Sequence, residues 1–312
     1  MPVSPPRVVA VINSFHRAPV LRRLLDSLTG IPELGGVILV ASPDDPATAS
    51  LARERPIIHR CLAHLHGGSL GAGYAAGLRA GLAEPATTHF LLVDDDAELL
   101  PTTLANLLAA MEQEQAAAGM PLLVDAAGHV RWFPGLADRR KFRLLRGPAL
   151  TPEEFIRRCG AEPAPFTWAP GPMLLVARWA VERFGAPRSD FCFMGDDLEY
   201  SLRLSSAAPA IWVPRAVGRH LPPGTKRGAE AYYIDCMHLQ NVCYIAARLP
   251  HGARLRRNVP GAAWRFLRSG HFRARRIADM VRAVWQGAVH GRPAGADGGD
   301  RFWHAFKRVR AQ

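Results

Sequence analysis

Residues 91–101 read LLVDDDAELLP, an apolar run that ends in three consecutive aspartates before the start of a predicted helix. Adjacent carboxylates repel one another and raise each other's pKa, so the cluster is costly unless a cation neutralises it. If the backbone stays extended, Asp94 and Asp96 point to one side and Asp95 to the other. Asp94 and Asp96 could then hold Mg²⁺ or Mn²⁺ against a diphosphate, because these ions take oxygen ligands. The alternative is an acidic loop before a helix, where the helix dipole favours carboxylates.

Short apolar runs alternate with helical patterns on either side of this stretch. Residues 8–12 (VVAVI) and 37–40 (VILV) are rich in β-branched residues and predict strands, while leucines recur at helical spacing between them and stop before Gly30. The alternation predicts an α/β protein whose mainly parallel sheet is covered by helices on both faces. In such sheets ligands bind beyond the carboxyl ends of the strands, where the aspartates lie.

The second half of the chain is less regular. Thr151 to Glu154 (TPEE) is a capping box with proline at the first helical position, so a helix is predicted to begin there. After about residue 225 no strand pattern remains. The other predicted elements are strands at 173–176 and 211–213, helices at 196–204, 232–249 and 262–289, and a flexible linker at 291–300.

Composition narrows the class of protein. The 312 residues are 48% hydrophobic and carry a formal net charge of +12, which fits a globular protein with an anionic partner. The five cysteines form no C-x-x-C pair, which argues against a disulfide framework or a zinc knuckle and predicts reduced, mostly buried thiols. The sequence has neither an apolar signal region nor a run of about 18 apolar residues, so we predict a cytoplasmic protein.

A second acidic group lies at residues 195–199 (GDDLE). Asp196 with Glu199 three residues later would make a helix cap, which explains Asp196 without any chemistry. Capping leaves Asp197 unexplained, and two acids at a helix start also fit a general base with an orienting neighbour. His220 follows a predicted strand, and a lone histidine is more often a surface or capping residue than a ligand.

The glycine-rich segment at 67–81 matches neither G-x-G-x-x-G nor a phosphate-binding loop ending in G-K-S, so no Rossmann cofactor is predicted. Its glycines recur along a possible helix. They indicate close backbone packing beside a phosphate or sugar, although tight packing alone would also explain them.

Six stretches, taken in order, resemble the family-2 glycosyltransferases of the GT-A fold, particularly the bacterial rhamnosyl- and galactofuranosyltransferase-like members. The resemblance spans roughly residues 7–245. The stretches are VVAVINSFHRAPVLRRLLDSL (8–28), SLGAGYAAGLRAG (69–81), FLLVDDDAELLPTTLANLL (90–108), GPMLLVARWAVERFG (171–185), FCFMGDDLEYSLRL (191–204) and IWVPRAVGRH (211–220).

The resemblance implies roles for individual residues. Asp94 and Asp96 would be the D-x-D pair that bridges Mn²⁺ or Mg²⁺ to the donor diphosphate, His220 a further metal ligand, and Asp197 the catalytic base. The residues implied at the acceptor site are Asp196, Glu199 and Trp168. Those implied near the nucleotide are Ser14, Arg17, Asp44, Gly71 and Asp95.

The sequence departs from the family pattern at three positions. Ala41 stands where an acidic residue often ends the second strand, with Asp44 and Asp45 nearby, so the nucleoside base is left open. Ser69 replaces the asparagine that commonly opens the glycine-rich motif. Gln240 stands where arginine is expected in the Arg-Asn pair, of which Asn241 matches the second position.

The implied organisation is a GT-A domain over residues 1–225 and a basic helical region over 226–312. Within the domain, about 1–100 would bind the nucleotide and about 101–225 the acceptor. The implied activity is metal-dependent, inverting transfer of a hexosyl group from a nucleoside diphosphate sugar to a hydroxyl of a glycan or lipid-linked glycan in cell-envelope polysaccharide synthesis. One alternative is a nucleotidylyltransferase, although INSFHRAP lacks the glycines of its usual loop. The other is a basic membrane- or nucleic-acid-binding protein with an inactive GT-A domain.

The basic C-terminal region predicts a partner of its own. From His251 to Arg292 there are ten arginines and one acid, Asp279. Ile277, Met280, Val281, Val284 and Val289 are predicted to share one apolar face beside these arginines. This composition is typical of a helix that docks on an anionic membrane surface, so no nucleic acid partner is expected. The apolar face could instead pack on the catalytic domain. The residues that suggest docking are Arg273, Arg275, Arg276, Arg282, Trp264, Phe266 and Trp285.

Overall fold

The structure is a computed structural model that describes residues 7–64, 69–136, 149–191, 194–222, 228–268 and 273–294, together with Phe302, His304, Ala305 and Arg308. The side chains at 265, 268 and 273–275 are not part of this description. The chain forms two compact units. The first comprises Met1–Leu65, Gly73–Ala186 and Arg203–Pro223, and the second comprises His66–Ala72, Pro187–Leu202 and Gly224–Gln312.

The first unit holds a mixed, mostly parallel sheet with the strand order β3-β2-β1-β4-β10-β6-β11-β9-β8, in which β5 pairs with β11 and β7 with β6. The α/β fold predicted from the sequence is therefore confirmed. The strands are β1 Val8–Ser14, β2 Leu34–Ala41, β3 Ile58–Ala63, β4 His89–Asp94, β5 Ala97–Leu99, β6 Ala118–Val124, β7 Val130–Arg131, β8 Gly135–Leu136, β9 Ala164–Trp168, β10 Met173–Ala177 and β11 Ala210–His220.

Ten α-helices are described. Their bounds are α1 Ala18–Leu28, α2 Pro46–Glu54, α3 Leu70–Leu82, α4 Thr103–Gln113, α5 Pro152–Cys159, α6 Arg178–Phe184, α7 Asp196–Ala207, α8 Gly228–Arg248, α9 Val259–Arg268 and α10 Arg273–Val284. A 3₁₀ helix at Pro250–Asn258 and a π turn at Trp285–Val289 also belong to the second unit.

Local sequence explains several of these elements. All seven residues of β1 are buried, as expected for a strand in a parallel sheet that is covered on both faces. In α1 the buried residues are leucines spaced three and four apart, at positions 21, 24, 25 and 28. The predicted capping box is confirmed at α5, where Glu154 N donates to Thr151 Oγ1 and Thr151 N donates to the Glu154 carboxylate.

Two predictions from the sequence were wrong in detail. The stretch 262–289 is not one helix, because the guanidinium of Arg276 in α10 donates to the carbonyl of Phe266 in α9, which is out of reach along one continuous helix, and a π turn follows α10. The thiols are also less buried than predicted. Cys236 and Cys243 are buried but Cys61 is exposed and Cys159 half-buried, while Cys192 lies outside the described residues. The predicted linker at 291–300 is described only as far as Ala294.

The register of the sheet places the ends of β1, β4 and β11 near the aspartates. β1 and β4 run parallel with Asn13 opposite Asp94, so both strands end at the same edge. β5 runs antiparallel to β11 with Ala97 opposite His220. The end of β11 therefore lies beside the turn that links β4 to β5.

Candidate active site

The backbone of the β4 to β5 turn positions the acidic cluster of the first unit, Asp94, Asp95 and Asp96. Asp94 is the last residue of β4, and its amide donates to the carbonyl of Pro172 at 3.1 Å. Asp96 immediately precedes β5, and its carbonyl accepts a 2.7 Å hydrogen bond from the amide of Leu221. These two hydrogen bonds tie the turn to the residues that flank β10 and β11.

Two side chains of this cluster, together with His220 at the end of β11, have the arrangement of a metal site. Ligand atoms of Asp94, Asp96 and His220 all lie within 4.8 Å of one another. His220 Nε2 is 3.1 Å from Asp96 Oδ1, and His220 Nδ1 is buried with no hydrogen-bond partner among the described residues. Two carboxylates and an imidazole suit Mn²⁺ or Mg²⁺, so the residues present fit the metal that the sequence predicts.

Arg17 supplies the positive charge that the three adjacent aspartates require. Its guanidinium lies 2.8 Å from Asp95 Oδ1 and 2.7 Å from Asp96 Oδ2. Ser14 Oγ donates a 2.9 Å hydrogen bond to the other oxygen of Asp95. Asp95 thus pairs with the loop after β1, whereas Asp94 and Asp96 face His220.

The three carboxylates differ in pKa because their neighbours differ. Burial, and then the charge of Asp96, raise the pKa of Asp94 to about 7. Burial also raises the pKa of Asp95 to about 6, against the opposing effect of Arg17. For Asp96 burial is outweighed by contact with His220 and Arg17, which lower its pKa to about 2. The cluster therefore combines one firmly ionised carboxylate with two that gain from a further cation.

Two aromatic residues contact members of the group Asp94, Asp96 and His220, which we call the triad. The sequence analysis did not identify either aromatic residue. Tyr74, in the glycine-rich segment, donates a 2.9 Å hydrogen bond from its hydroxyl to Asp94 Oδ1. Trp132 meets the imidazole of His220 edge-on, with the ring centroids 4.4 Å apart. The backbone of Trp132 is left-handed at φ 52°, which is strained for a bulky residue and is characteristic of functional sites. Trp132 lies in HVRWFPG, which has no periodic pattern to single it out.

Asp44 and Asp45 have separate environments in the first unit. Asp45 is buried and caps α2, accepting from Thr48 N at 3.0 Å, and it also accepts from His16 N at 2.6 Å. Asp45 therefore ties α2 to the loop that carries Arg17. Asp44 is exposed, 3.4 Å from the ring of His16, and hydrogen bonding to Ser42 lowers its pKa.

Trp168 and Gly71 each occupy a closely packed position. Trp168 ends β9, and a Cβ placed on Gly135 would lie 2.2 Å from its indole nitrogen. The indole therefore covers the backbone of β8. A Cβ on Gly71 would lie 2.2 Å from the carbonyl oxygen of Arg188 and 3.1 Å from Asp196 Cβ, so close packing in the second unit requires glycine there.

The second unit contains the acidic residues at the start of α7. Gly195, in the left-handed region at φ 97°, supplies the carbonyl that accepts from Glu199 N at 2.9 Å. Asp196 is therefore inside the first turn of α7, and the interpretation of Asp196 as the helix cap is wrong. Burial, and then the charge of Asp197, raise the pKa of Asp196 to about 7. Asp197 is half-buried and accepts from Leu198 N at 2.7 Å.

Neighbouring residues hold this acidic segment in place. Glu199 is buried with His251 Nε2 3.1 Å from its carboxylate. Asn241, also buried, donates to the carbonyl of Met194 just before α7 and accepts from Ala294 N at 2.6 Å. Gln240, at the position where the family pattern has arginine, donates to the carbonyl of Arg292 at 3.1 Å. The amide side chains of α8 thus fasten both the turn before α7 and the segment near residue 294.

The structure therefore distributes the candidate residues over two groups. Ser14, Arg17, Asp94, Asp95, Asp96 and His220 form one connected cluster in the first unit. Asp44 and Trp168 belong to the same unit with the separate neighbours described above. Asp196, Asp197, Glu199 and Gly71 belong to the second unit.

Solved structures share this fold. S. aureus TarS, also solved with UDP-GlcNAc, matches with a TM-score of 0.58 and 12% identity, over 91% of this chain and 81% of that chain. The mannosyltransferase PcManGT from Pyrobaculum calidifontis, in complex with GDP-Man and Mn²⁺, matches at 0.50 and 18% identity, over 99% and 81%. GalNAc-T7 with UDP, GalNAc and Mn²⁺ matches at 0.52 and 13%, over 82% and 55%. At such identities the likeness shows the fold, which is the GT-A type.

Sequence comparison identifies the family. The family model for glycosyltransferase like family 2 matches residues 5–234, which is most of the chain. The chain belongs to this family and carries a glycosyltransferase family 2 domain, so the nucleotidylyltransferase alternative is set aside. No curated protein sequence matches the chain.

Proposed function

We propose that the protein is a metal-dependent, inverting glycosyltransferase that moves a hexosyl group from a nucleoside diphosphate sugar to a hydroxyl of a glycan or lipid-linked glycan. The observation that carries this proposal is the triad of Asp94, Asp96 and His220 at the carboxyl end of a parallel strand in a family 2 chain. Ligands of open α/β sheets bind at this edge. We further propose that residues 1–225 form the transferase domain and that the product enters cell-envelope polysaccharide.

The metal is proposed to be Mn²⁺ or Mg²⁺, held by Asp94, Asp96 and His220. The donor set of two carboxylates and one imidazole supports this choice, and two of the similar solved structures contain Mn²⁺. When bound, the ion would neutralise the charge that develops on the leaving diphosphate. Tyr74 and Trp132 would keep Asp94 and His220 in their ligand positions, because ligands are oriented by the groups around them.

The nucleotide end of the donor is proposed to contact Ser14, Arg17, Asp44, Gly71 and Asp95. Arg17 has the clearest support, because its guanidinium already bridges two carboxylates beside the triad and a guanidinium forms bidentate bonds with phosphate as readily. Asp95 would act indirectly by holding Arg17 and Ser14 in place.

Asp197 is the proposed base, with Asp196, Glu199 and Trp168 at the acceptor. The half-buried carboxylate of Asp197 lies in the first turn of α7, where the helix N-terminus favours the anionic form that a general base requires. It would take the proton of the acceptor hydroxyl as that oxygen attacks the anomeric carbon from the face opposite the diphosphate. One direct displacement inverts the anomeric centre.

A donor screen tests this proposal. Uridine, guanosine and thymidine diphosphate sugars are incubated with the protein and Mn²⁺, and the release of nucleoside diphosphate and the rise in Tm are measured. We expect one donor class to be hydrolysed slowly and to raise Tm. The Asp94→Asn/Asp96→Asn double variant is the matched control and should do neither. Neither hydrolysis nor stabilisation with any donor would favour the inactive-domain alternative.

A further inference from the structure

The second unit exposes a row of large apolar side chains. Ile277, Val281, Trp285 and Val289 are 59%, 58%, 46% and 59% exposed, and each is four residues from the next. Residues four apart are neighbours on a helix surface, so the four side chains form one stripe, which we call the apolar stripe. Trp264, in the preceding helix α9, is 61% exposed. Contiguous apolar surface of this kind marks an interaction site in a protein that is otherwise well packed.

The π turn lengthens the stripe. In an α-helix every step of four residues drifts about 40° around the axis, so a row at this spacing turns away from its starting face. The turn at Trp285–Val289 closes with a bond from His290 N to Trp285 O at 2.8 Å, five residues back. This wider turn reduces the drift and keeps Val289 close to the line of Trp285. Such turns are rare and are concentrated at functional positions.

The opposite face of α10 is anchored inside the second unit. Asp279 is buried, accepts from the hydroxyl of Tyr232, and lies 2.9 Å from a guanidinium nitrogen of Arg282. Arg276 is buried with its guanidinium 5.1 Å and 5.2 Å from the ring centroids of Tyr232 and Phe266. These contacts hold the stripe outward. They also correct the sequence prediction, because Arg276 and Phe266 belong to the interior and not to a docking surface.

Charge narrows the choice of partner. Between His251 and Arg292 the sequence has ten arginines and one acid. The acid, Asp279, is buried, whereas Arg254, Arg256 and Arg257 are exposed on the 3₁₀ helix. A nucleic acid would use such arginines but would gain little from Ile and Val. A second copy of the same face would bring like charges together. Anionic lipid uses both features, since its headgroups attract arginine and its acyl boundary accepts Ile, Val and Trp.

We propose that the apolar stripe and Trp264 insert into the headgroup region of an anionic membrane, with the exposed arginines of the same unit, Arg254, Arg256 and Arg257, on the lipid phosphates. Among the described helices, none combines the length and the apolar content that crossing a bilayer requires. The proposed contact is therefore interfacial. It rests on the second unit alone and does not depend on sugar transfer, although a lipid-linked acceptor would be found at the same surface.

Vesicle sedimentation with the full chain tests the proposal. The vesicles are phosphatidylcholine alone or phosphatidylcholine with phosphatidylglycerol. The test variant is Ile277→Ser/Val281→Ser/Trp285→Ser, which changes exposed positions only, and Trp179→Ser is the matched control, since Trp179 is 43% exposed in α6 of the first unit. We expect wild type and control to bind the anionic vesicles, more weakly as salt rises. The triple variant should bind at least about tenfold more weakly, because it loses three apolar contacts.

Three outcomes would overturn the proposal: no binding of wild type to anionic vesicles, equal binding of the triple variant, or a wild-type dimer in sedimentation equilibrium that the triple variant loses. The last result would mean that a second copy covers the stripe. Donor hydrolysis is measured on the same samples. A triple variant that hydrolyses donor normally but fails to bind vesicles separates this proposal from the proposed activity. Absence of donor hydrolysis in every sample, with vesicle binding as expected, would count against the activity alone.

Discussion

The molecule contains two acidic clusters that the fold treats differently. Around Asp94–Asp96 the positive charge comes from Arg17 and, when protonated, His220, with hydrogen bonds from Ser14 and Tyr74. Around Asp196–Glu199 the compensation is the N-terminus of α7 and the histidine beside Glu199. The first cluster therefore has its charges organised around a point where three ligand atoms meet, whereas the carboxyl groups of the second lie in the first turn of a helix.

This difference suggests a division of labour. A cluster with a fixed guanidinium and a fixed imidazole is suited to holding a cation and a diphosphate, because its electrostatics are already organised. A carboxylate in the first turn of a helix, beside a second carboxylate, is suited to handling a proton. Each assignment can be tested separately by substitutions that remove a charge and keep the shape.

The largest effect is expected for Asp197→Asn. Asparagine keeps the size and the hydrogen bond to Leu198 N but cannot accept the acceptor's proton. Sugar transfer should fall by a factor on the order of 10² to 10⁴, with donor binding and Tm nearly unchanged. The measurement is initial transfer rate together with donor affinity.

Asp196→Asn is the matched control for that experiment. Near-normal transfer by Asp197→Asn together with a large loss by Asp196→Asn would mean that the base is Asp196. If both variants stay active, proton transfer does not occur at this cluster and the division of labour fails.

A smaller effect concerns the pH dependence of stability. The folded pKa of Asp196 is about 7 and its ordinary value is 3.8, so the folded state binds this proton more tightly than the unfolded state. Stability from this group is present below pH 4 and is lost as pH rises toward 7, by at most about 1.4 kcal/mol per pH unit. Asp196→Asn should therefore be stabilised relative to wild type progressively between pH 4 and 7 in urea unfolding. A constant difference across this range would show that Asp196 is ionised without cost in the fold.

The smallest effect is expected at Trp132. Trp132→Ala removes the edge contact with His220, so the imidazole should be less well oriented and Mn²⁺ should bind about tenfold more weakly. Trp132→Phe keeps an aromatic edge and should bind nearly as wild type. Calorimetric titration of Mn²⁺ measures both, and unchanged affinity in Trp132→Ala would show that the strained backbone has another cause.

Sequence reasoning located the polar positions but not their partners. The D-x-D pair lies at a predicted strand end, His220 was implied by the family resemblance, and the capping box at Thr151 follows from local chemistry. The ladder that joins His220 to the aspartates uses β5, which is three residues long and carries no periodic signal. For the same reason Tyr74 and Trp132 were missed, since only tertiary packing brings them to the triad.

In the basic C-terminal region, the sequence analysis placed at the surface a residue that the structure buries. A helical pattern assigns faces from one helix alone, so Arg276 counted as a surface cation. In the structure the rings of Tyr232 and Phe266 flank its guanidinium, and the helix that supplies Tyr232 cannot be inferred from the local pattern. The face that the sequence predicts for the helix at 262–289 agrees with the exposed stripe at Ile277, Val281 and Val289, whereas the other two predicted residues, Met280 and Val284, are half-buried.

Calorimetric titration of a nucleoside diphosphate tests the central claim most directly. Uridine and guanosine diphosphate are titrated into wild type and into Asp94→Asn/Asp96→Asn, each with Mn²⁺ and with EDTA. We expect at least one of the two nucleotides to bind wild type in the presence of Mn²⁺ and EDTA to abolish this binding. The double variant should bind neither nucleotide, whether or not the metal is present. Equal affinity of wild type in Mn²⁺ and EDTA, or full affinity of the double variant, would contradict the claim.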